Sequence, residues 1–293
     1  MAVSAAFFGR TTLDVLYSLD EIPAEDTKVF AKAFRAAPGG PACNAAITHA
    51  LLGGKATLFT AIGEGPWASA VRDELIRRNI AVIDLAAGTS YETPLTTVLL
   101  NRIRATRTIV NPPQAQVELP SLDPSWKQEW GDPPRVILLD GFHLKETLPL
   151  LRTFRDAGAA IVLDGGSWKP GTGDLAPLMT VAICSERFAV PGASADPEST
   201  LHWFAAQGVS HAAVTRGPRP ILALDRGQCF EIEIPPIEAI DTSGAGDVLH
   251  GAFCYRYGKS GNFEQSLRTA AAIATQSCQN LGIEGWKKEK EKE

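Results

Sequence analysis

Short apolar runs alternate along this chain with segments in which apolar residues recur every three to four positions. The runs at 57–61, 136–140, 161–164, 181–184 and 212–215 have the length and content of buried strands. The segments 41–52, 67–78, 144–157, 200–207, 245–257 and 263–281 carry helical periodicity. The apolar start, residues 1–8, reads as a first buried strand. Strand–helix alternation of this kind predicts an α/β fold, a mostly parallel central sheet with helices on both faces. Binding sites in such sheets gather at the carboxyl ends of the strands.

Two regions break the alternation. Residues 13–19 with 29–36, and 96–101 with 107–110, are extended pieces with no helix between them, and 102–106 is long enough for a hairpin turn. They predict a small β-sheet projecting from the main body. Such a sheet has faces and edges that need cover, so it is expected to act as a lid, a dimer contact, or both. The remainder shows no internal repeat and no long linker, which predicts one domain over 1–286 and a solvated charged tail at 287–293.

Bulk properties narrow the function. With 293 residues, 45% hydrophobic and 21% charged, the chain has ample material for one large core. A net charge of −5 argues against a general nucleic-acid binder. No apolar run approaches the length of a membrane span. The five cysteines form no C-x-x-C pair, and the N-terminus lacks a basic leader, so a reducing, cytoplasmic setting is expected. Residues 7–14 lack G-x-G-x-x-G, which excludes a nicotinamide-dependent dehydrogenase built on that fingerprint.

The strongest chemical signal is Asp241-Thr242-Ser243-Gly244-Ala245-Gly246-Asp247, followed by an apolar, small-residue run. It reads as a loop that opens a helix. Gly244, Ala245 and Gly246 have little or no side chain, so a bulky anion can approach their N–H groups. Those groups sit where a helix has unpartnered donors and a positive dipole end. Asp247 falls in the first turn, beside the anion. A cradle with an adjacent carboxylate base is what phosphoryl transfer to a hydroxyl needs.

The seven-residue string resembles the second signature of the PfkB, or ribokinase-like, family of carbohydrate kinases, Asp-Thr-x-Gly-Ala-Gly-Asp. The likeness extends over most of the chain and implies a three-layer α/β/α domain with a small β lid. It places Asp14, in Gly9-Arg10-Thr11-Thr12-Leu13-Asp14, where a substrate-binding aspartate is usual. Gly39-Gly40-Pro41-Ala42-Cys43-Asn44 resembles the first signature, with Gly39 and Gly40 allowing close approach and Asn44 facing sugar hydroxyls. Asp26 and Arg107 resemble the ketohexokinase branch and would reach the substrate. An arginine at the mouth also suits an anionic ligand. Thr215 and Gly217, in Val214-Thr215-Arg216-Gly217, resemble the loop that holds the nucleotide, although Pro220 replaces an expected glycine. The small-residue stretch 270–277 of the last helix, including Ser277, resembles the face that packs the adenine.

By the same resemblance ATP and Mg²⁺ are expected. The family's Asn-x-x-Glu, which arranges water around magnesium, is not kept; Ser185 and Glu186 stand at the matching strand end. A potassium-like ion beside Asp241 and Thr242 is a further implication. The reading is ATP-dependent phosphorylation of a sugar hydroxyl, first of all in a ketohexose or related fructose derivative, with Asp247 as base. The alternatives are a sugar- or nucleotide-sensing protein with weak turnover, and a kinase for ribose or a nucleoside. A homodimer through the lid is expected; nucleic-acid and membrane partners are not.

Overall fold

A computed structural model of the chain describes residues 2–113, 119–122, 133–194 and 196–287. The charged tail expected from 287 therefore lies outside the described residues beyond its first position.

The chain opens with β1 (Ser4–Phe8), then leaves the main body for β2 (Thr12–Leu19) and β3 (Ala33–Gly39). It returns through α1 (Pro41–Leu51), β4 (Lys55–Thr60), α2 (Ala68–Arg77) and β5 (Ile80–Asp84). A second excursion makes β6 (Leu95–Asn101) and β7 (Thr106–Val110). The main body then resumes with β8 (Val136–Leu139), α3 (Leu144–Asp156), β9 (Ala160–Gly165), β10 (Val181–Ser185) and α4 (Pro197–Ala206). It closes with β11 (His211–Arg216), β12 (Arg219–Asp225), β13 (Gln228–Ile232), α5 (Ala245–Ser260) and α6 (Phe263–Ser277).

Among the described residues the main sheet has nine strands in the order β13-β12-β11-β10-β9-β8-β1-β4-β5. It is parallel from β11 to β5, and β12 and β13 extend it as an antiparallel hairpin. The hairpin and β5 are elements that the apolar runs did not single out. Strand side chains alternate between two cores, as the period of two demands. Ala5 and Phe7 of β1, with Val136 and Leu138 of β8, pack into the core shared with α1, α2, α5 and α6. Ala6 and Phe8, with Ile137 and Leu139, pack into the other core under α3 and α4. Phe8 stacks on Phe59 there at 4.2 Å. Two cores on two faces make three layers.

Local chemistry sets most element ends. Asp196 caps α4 by accepting from Ser199 N at 2.8 Å, so the helix starts at Pro197 rather than 200. Asn262 caps α6 in the same way, and the helix stops at Ser277, short of the expected 281. The small sheet runs β3-β2-β6-β7. Its second strand occupies 33–39 rather than 29–36, because pairing with β2 continues as far as Thr12 opposite Gly39. One face of this sheet turns towards the main body with Leu16, Val98 and Leu100. The other exposes Tyr17 and Phe34, whose rings lie 5.3 Å apart.

Candidate active site

Strand β1 has β8 on one side and β4 on the other, so the winding direction reverses there. A crevice opens at such a reversal. Here it is a cavity of about 380 Å³ roofed by the small sheet.

Its floor is organised by Asp140, the residue that follows β8. Asp140 Oδ2 accepts from Arg10 N at 2.9 Å and Ala42 N at 3.2 Å, and Oδ1 accepts from Phe142 N at 2.9 Å. One buried carboxyl thus ties the exit of β1 to the start of α1. A Cβ on Gly9 would stand 2.0 Å from Asp140 Oδ1, so only glycine fits. Burial pushes the Asp140 carboxyl up to about 7.

Asp14 enters from β2, held by Thr12 Oγ1, which donates to its Oδ1 at 2.6 Å. Gly39 makes room for it, since a Cβ there would fall 2.0 Å from Asp14 Oδ2. Burial raises the Asp14 carboxyl, against the Thr12 hydrogen bond and the Arg10 charge. Gly40 takes φ 98° over the carbonyl of Arg10 and starts α1, which carries Asn44.

Asn44 Nδ2 donates to Asp247 Oδ2 at 2.7 Å, joining the two glycine-containing segments across 203 residues. Asp247 is partly exposed and lines the cavity. Burial pushes its carboxyl up to about 7; the Asp164 charge adds to this, while Asn44 and His250 oppose it. Gly244 precedes α5 with φ 74°, where a Cβ would lie 2.6 Å from Ile283 Cγ2. Gly246 faces open space. The Ala245 N–H departs from the expected cradle: it points to Thr242 O, 3.4 Å away.

The cavity wall brings together Asp14, Gly40, Asn44, Arg107, Asp241, Gly244 and Asp247. Arg107 Nη1 donates to Thr242 Oγ1 at 3.1 Å, bridging β7 to the start of the glycine loop. Asp241 is buried and spends both oxygens on amides, Ser243 N at 2.8 Å and Gly282 N at 2.9 Å.

Other expected residues stand elsewhere. Asp26 is exposed in the β2–β3 connection with φ 56°, away from the cavity wall. Thr215, Gly217 and Ser277 also lie outside that wall. Thr215 Oγ1 donates to Cys184 O at 3.3 Å, and Gly217 turns the β11–β12 hairpin at φ 63°. Ser277 is buried and donates to Ala274 O. Glu186 is exposed and ion-paired with Arg219. Among the described residues no three His, Cys, Asp or Glu side chains converge to hold a metal ion.

Four further polar residues stand at or beneath the cavity without having been assigned a role from the sequence. Asp140 and Asp164 each end a buried parallel strand, a position that could have flagged them. Arg10 lines the cavity beside Phe142. His250, buried one turn after Asp247, has Nδ1 2.7 Å from Gly246 O and Nε2 3.1 Å from Ile183 O, and Nδ1 lies 3.5 Å from Asp164 Oδ2. Only the spacing of three from Asp247 hinted at it.

Comparison with known proteins gives these features a setting. Residues 4–288 match the pfkB family carbohydrate kinases. The ribokinase of Lactococcus lactis subsp. lactis is 21% identical over 94% of this chain and 91% of its own length. The deoxyribokinase of Salmonella typhi is 34% identical, but the match spans 27% of this chain and 26% of that protein. Among solved structures, the Arabidopsis thaliana ribokinase complexed with ribose and ATP superposes with a TM-score of 0.77 at 20% identity, covering 96% of this chain and 94% of that one. The fold is ribokinase-like. By a match that runs nearly its whole length, the chain belongs to the pfkB family of carbohydrate kinases.

Proposed function

We propose that the protein transfers the γ-phosphoryl group of ATP to a hydroxyl of a sugar, with Asp247 as general base. The observation that carries this reading is that Asp247, oriented by Asn44 at 2.7 Å, and Gly244 at the helix start line one cavity. The hydroxyl oxygen forms a bond to the γ-phosphorus as the bond to the ADP oxygen breaks. The hydroxyl proton passes to Asp247, and ADP leaves. The N–H groups of Gly244 and Gly246 stabilise the charge in transit, and Arg107 reaches the same loop. Asp14 and Asn44 orient the acceptor. Thr215 and Gly217 are assigned to the nucleotide side. When bound with the nucleotide, magnesium would supply charge neutralisation for its phosphates.

A ketohexose or related fructose derivative is the first acceptor proposed, from the Arg107 resemblance. Ribose is the second, favoured by the name of the full-length relative. A monovalent cation beside the Asp241–Thr242 backbone belongs to the same reading, and a K⁺ dependence of the rate tests it. A second copy of the chain is proposed to cover the exposed Tyr17–Phe34 face of the small sheet.

Asp247→Asn is the deciding experiment. ADP release in the presence of acceptor should fall by about two to four orders of magnitude, while calorimetry shows ATP and sugar still binding. Near-normal turnover would remove Asp247 as the base.

A further inference from the structure

Three arginines reach the cavity wall: Arg10, Arg35 and Arg107. Arg35 is neutralised, its Nη2 donating to Glu284 Oε2 at 3.0 Å. Among the described residues no carboxylate pairs with Arg10 or Arg107. The two serve different neighbourhoods. Arg107 touches Thr242 at the glycine loop, and its charge is felt by Cys278. The Arg10 charge is felt by Asp14, Tyr91 and His143. Arg10 therefore stands at the end of the cavity where Asp14 waits for the acceptor.

A second cation is next to it. Arg10 Cζ lies 5.4 Å and Lys169 Nζ 4.6 Å from the centroid of the same ring, Phe142. Among the described residues Lys169 Nζ donates only to Ser167, to its Oγ at 3.3 Å and its carbonyl at 3.4 Å. Two cations thus sit against one aromatic ring, and among the described residues neither forms an ion pair, although the Asp14 carboxyl feels the Arg10 charge. A neutral sugar would leave both cations without an ion pair. An oxyanion would supply one and match the planar fork of a guanidinium.

We infer that the acceptor carries an anionic group of its own, a phosphate, sulfonate or carboxylate, which Arg10 binds with Lys169 beside it, leaving Arg107 to the phosphoryl group in transfer. This rests on the kinase reading above and names its substrate class. The acceptor then spans the cavity, charged end at Phe142 and reacting hydroxyl at Asp247.

The test is ADP release by the full chain with matched acceptors: fructose, fructose 6-phosphate, a 6-sulfonated ketohexose and a keto-sugar acid. At least one charged acceptor should exceed fructose by about tenfold or more in kcat/KM, the scale of a charge-assisted hydrogen bond. The charged acceptor that wins identifies the group. Arg10→Gln should raise KM for it by about tenfold with the KM for ATP held within about twofold, and Arg10→Lys should recover part of the loss. Equal use of fructose and every charged acceptor overturns the inference, as does an Arg10→Gln loss that is the same for both kinds. Thermal shifts without ATP separate this from failure of the kinase reading. If no acceptor releases ADP but a charged sugar raises Tm in the wild type and not in Arg10→Gln, phosphoryl transfer falls and the charged acceptor stands. If no charged sugar raises Tm and none is turned over, both fall.

Discussion

At the scale of the residue, the site is governed by carboxyl groups held in poor solvent. Asp247 sits at about 7 chiefly through burial, and only its deprotonated form can take a proton from a hydroxyl. The kcat/KM for the acceptor should therefore rise about tenfold per pH unit below about 7 and level off above it, a profile that steady-state assays at fixed ionic strength will read. The same shift has a stability consequence of opposite direction. A carboxyl raised on folding lends stability that is complete below its unfolded pKa and is lost as pH climbs through about 7. Asp247→Asn should thus gain in Tm over the wild type between about pH 5 and about pH 8. A constant difference in Tm across that range would show that the carboxyl is not desolvated.

At the scale of the element, two contacts hold the proposed catalytic groups in register. Helix α5 crosses α1 at Gly251, where a Cβ would meet Ala45 O at 2.3 Å and Thr48 Cβ at 2.7 Å. The helices so joined carry Asp247 and Asn44. Gly251→Ala should cost about 1–3 kcal/mol in urea unfolding through overpacking, and should lower kcat by disturbing the Asn44–Asp247 bond. The second contact fastens the small sheet. Glu284 accepts from Arg35 of β3 at 3.0 Å and from Arg78 Nε, just past α2, at 2.6 Å. Burial pushes the Glu284 carboxyl up, but Arg78 and Arg35 outweigh it and hold it below its ordinary range. Glu284→Gln should raise the acceptor KM, and a double-mutant cycle with Arg35→Met should return a coupling of about 0.5–3 kcal/mol. Independent, additive effects would show that the network does not brace the roof.

At the scale of the whole molecule, the two excursions from the main sheet build one roof. Strands β2 and β3 come early and β6 and β7 come later, yet β2 pairs with β6 in parallel over seven residues. The roof's outer face leaves Phe34 61% exposed and Val110 57% exposed. An apolar face of this kind calls for cover. Phe34→Glu should turn a dimer into a monomer in light scattering at micromolar concentration. A wild type that is monomeric across the accessible concentration range would remove the proposed partner.

Residue pattern alone was enough for the layered architecture and for the segment on which the proposed chemistry rests. Buried parallel strands need unbroken apolar runs, and amphipathic helices need a period near 3.6, so both are written locally. The stretch Asp241–Asp247 was legible because bare backbone in consecutive residues is a local feature, which the proposed anion cradle requires. The tertiary structure alone decided which groups share the cavity. Asn44 meets Asp247 across 203 residues, and Asp140 ties Arg10 to Ala42, through packing of elements that no local pattern encodes. The same holds for the partners of Glu186 and Ser277: Glu186 pairs with Arg219, and Ser277 donates within its own helix. The shift of Asp247, and the lack of an ion pair for Arg10 among the described residues, also belong to this level, because desolvation and charge compensation depend on neighbours brought together only when the chain closes.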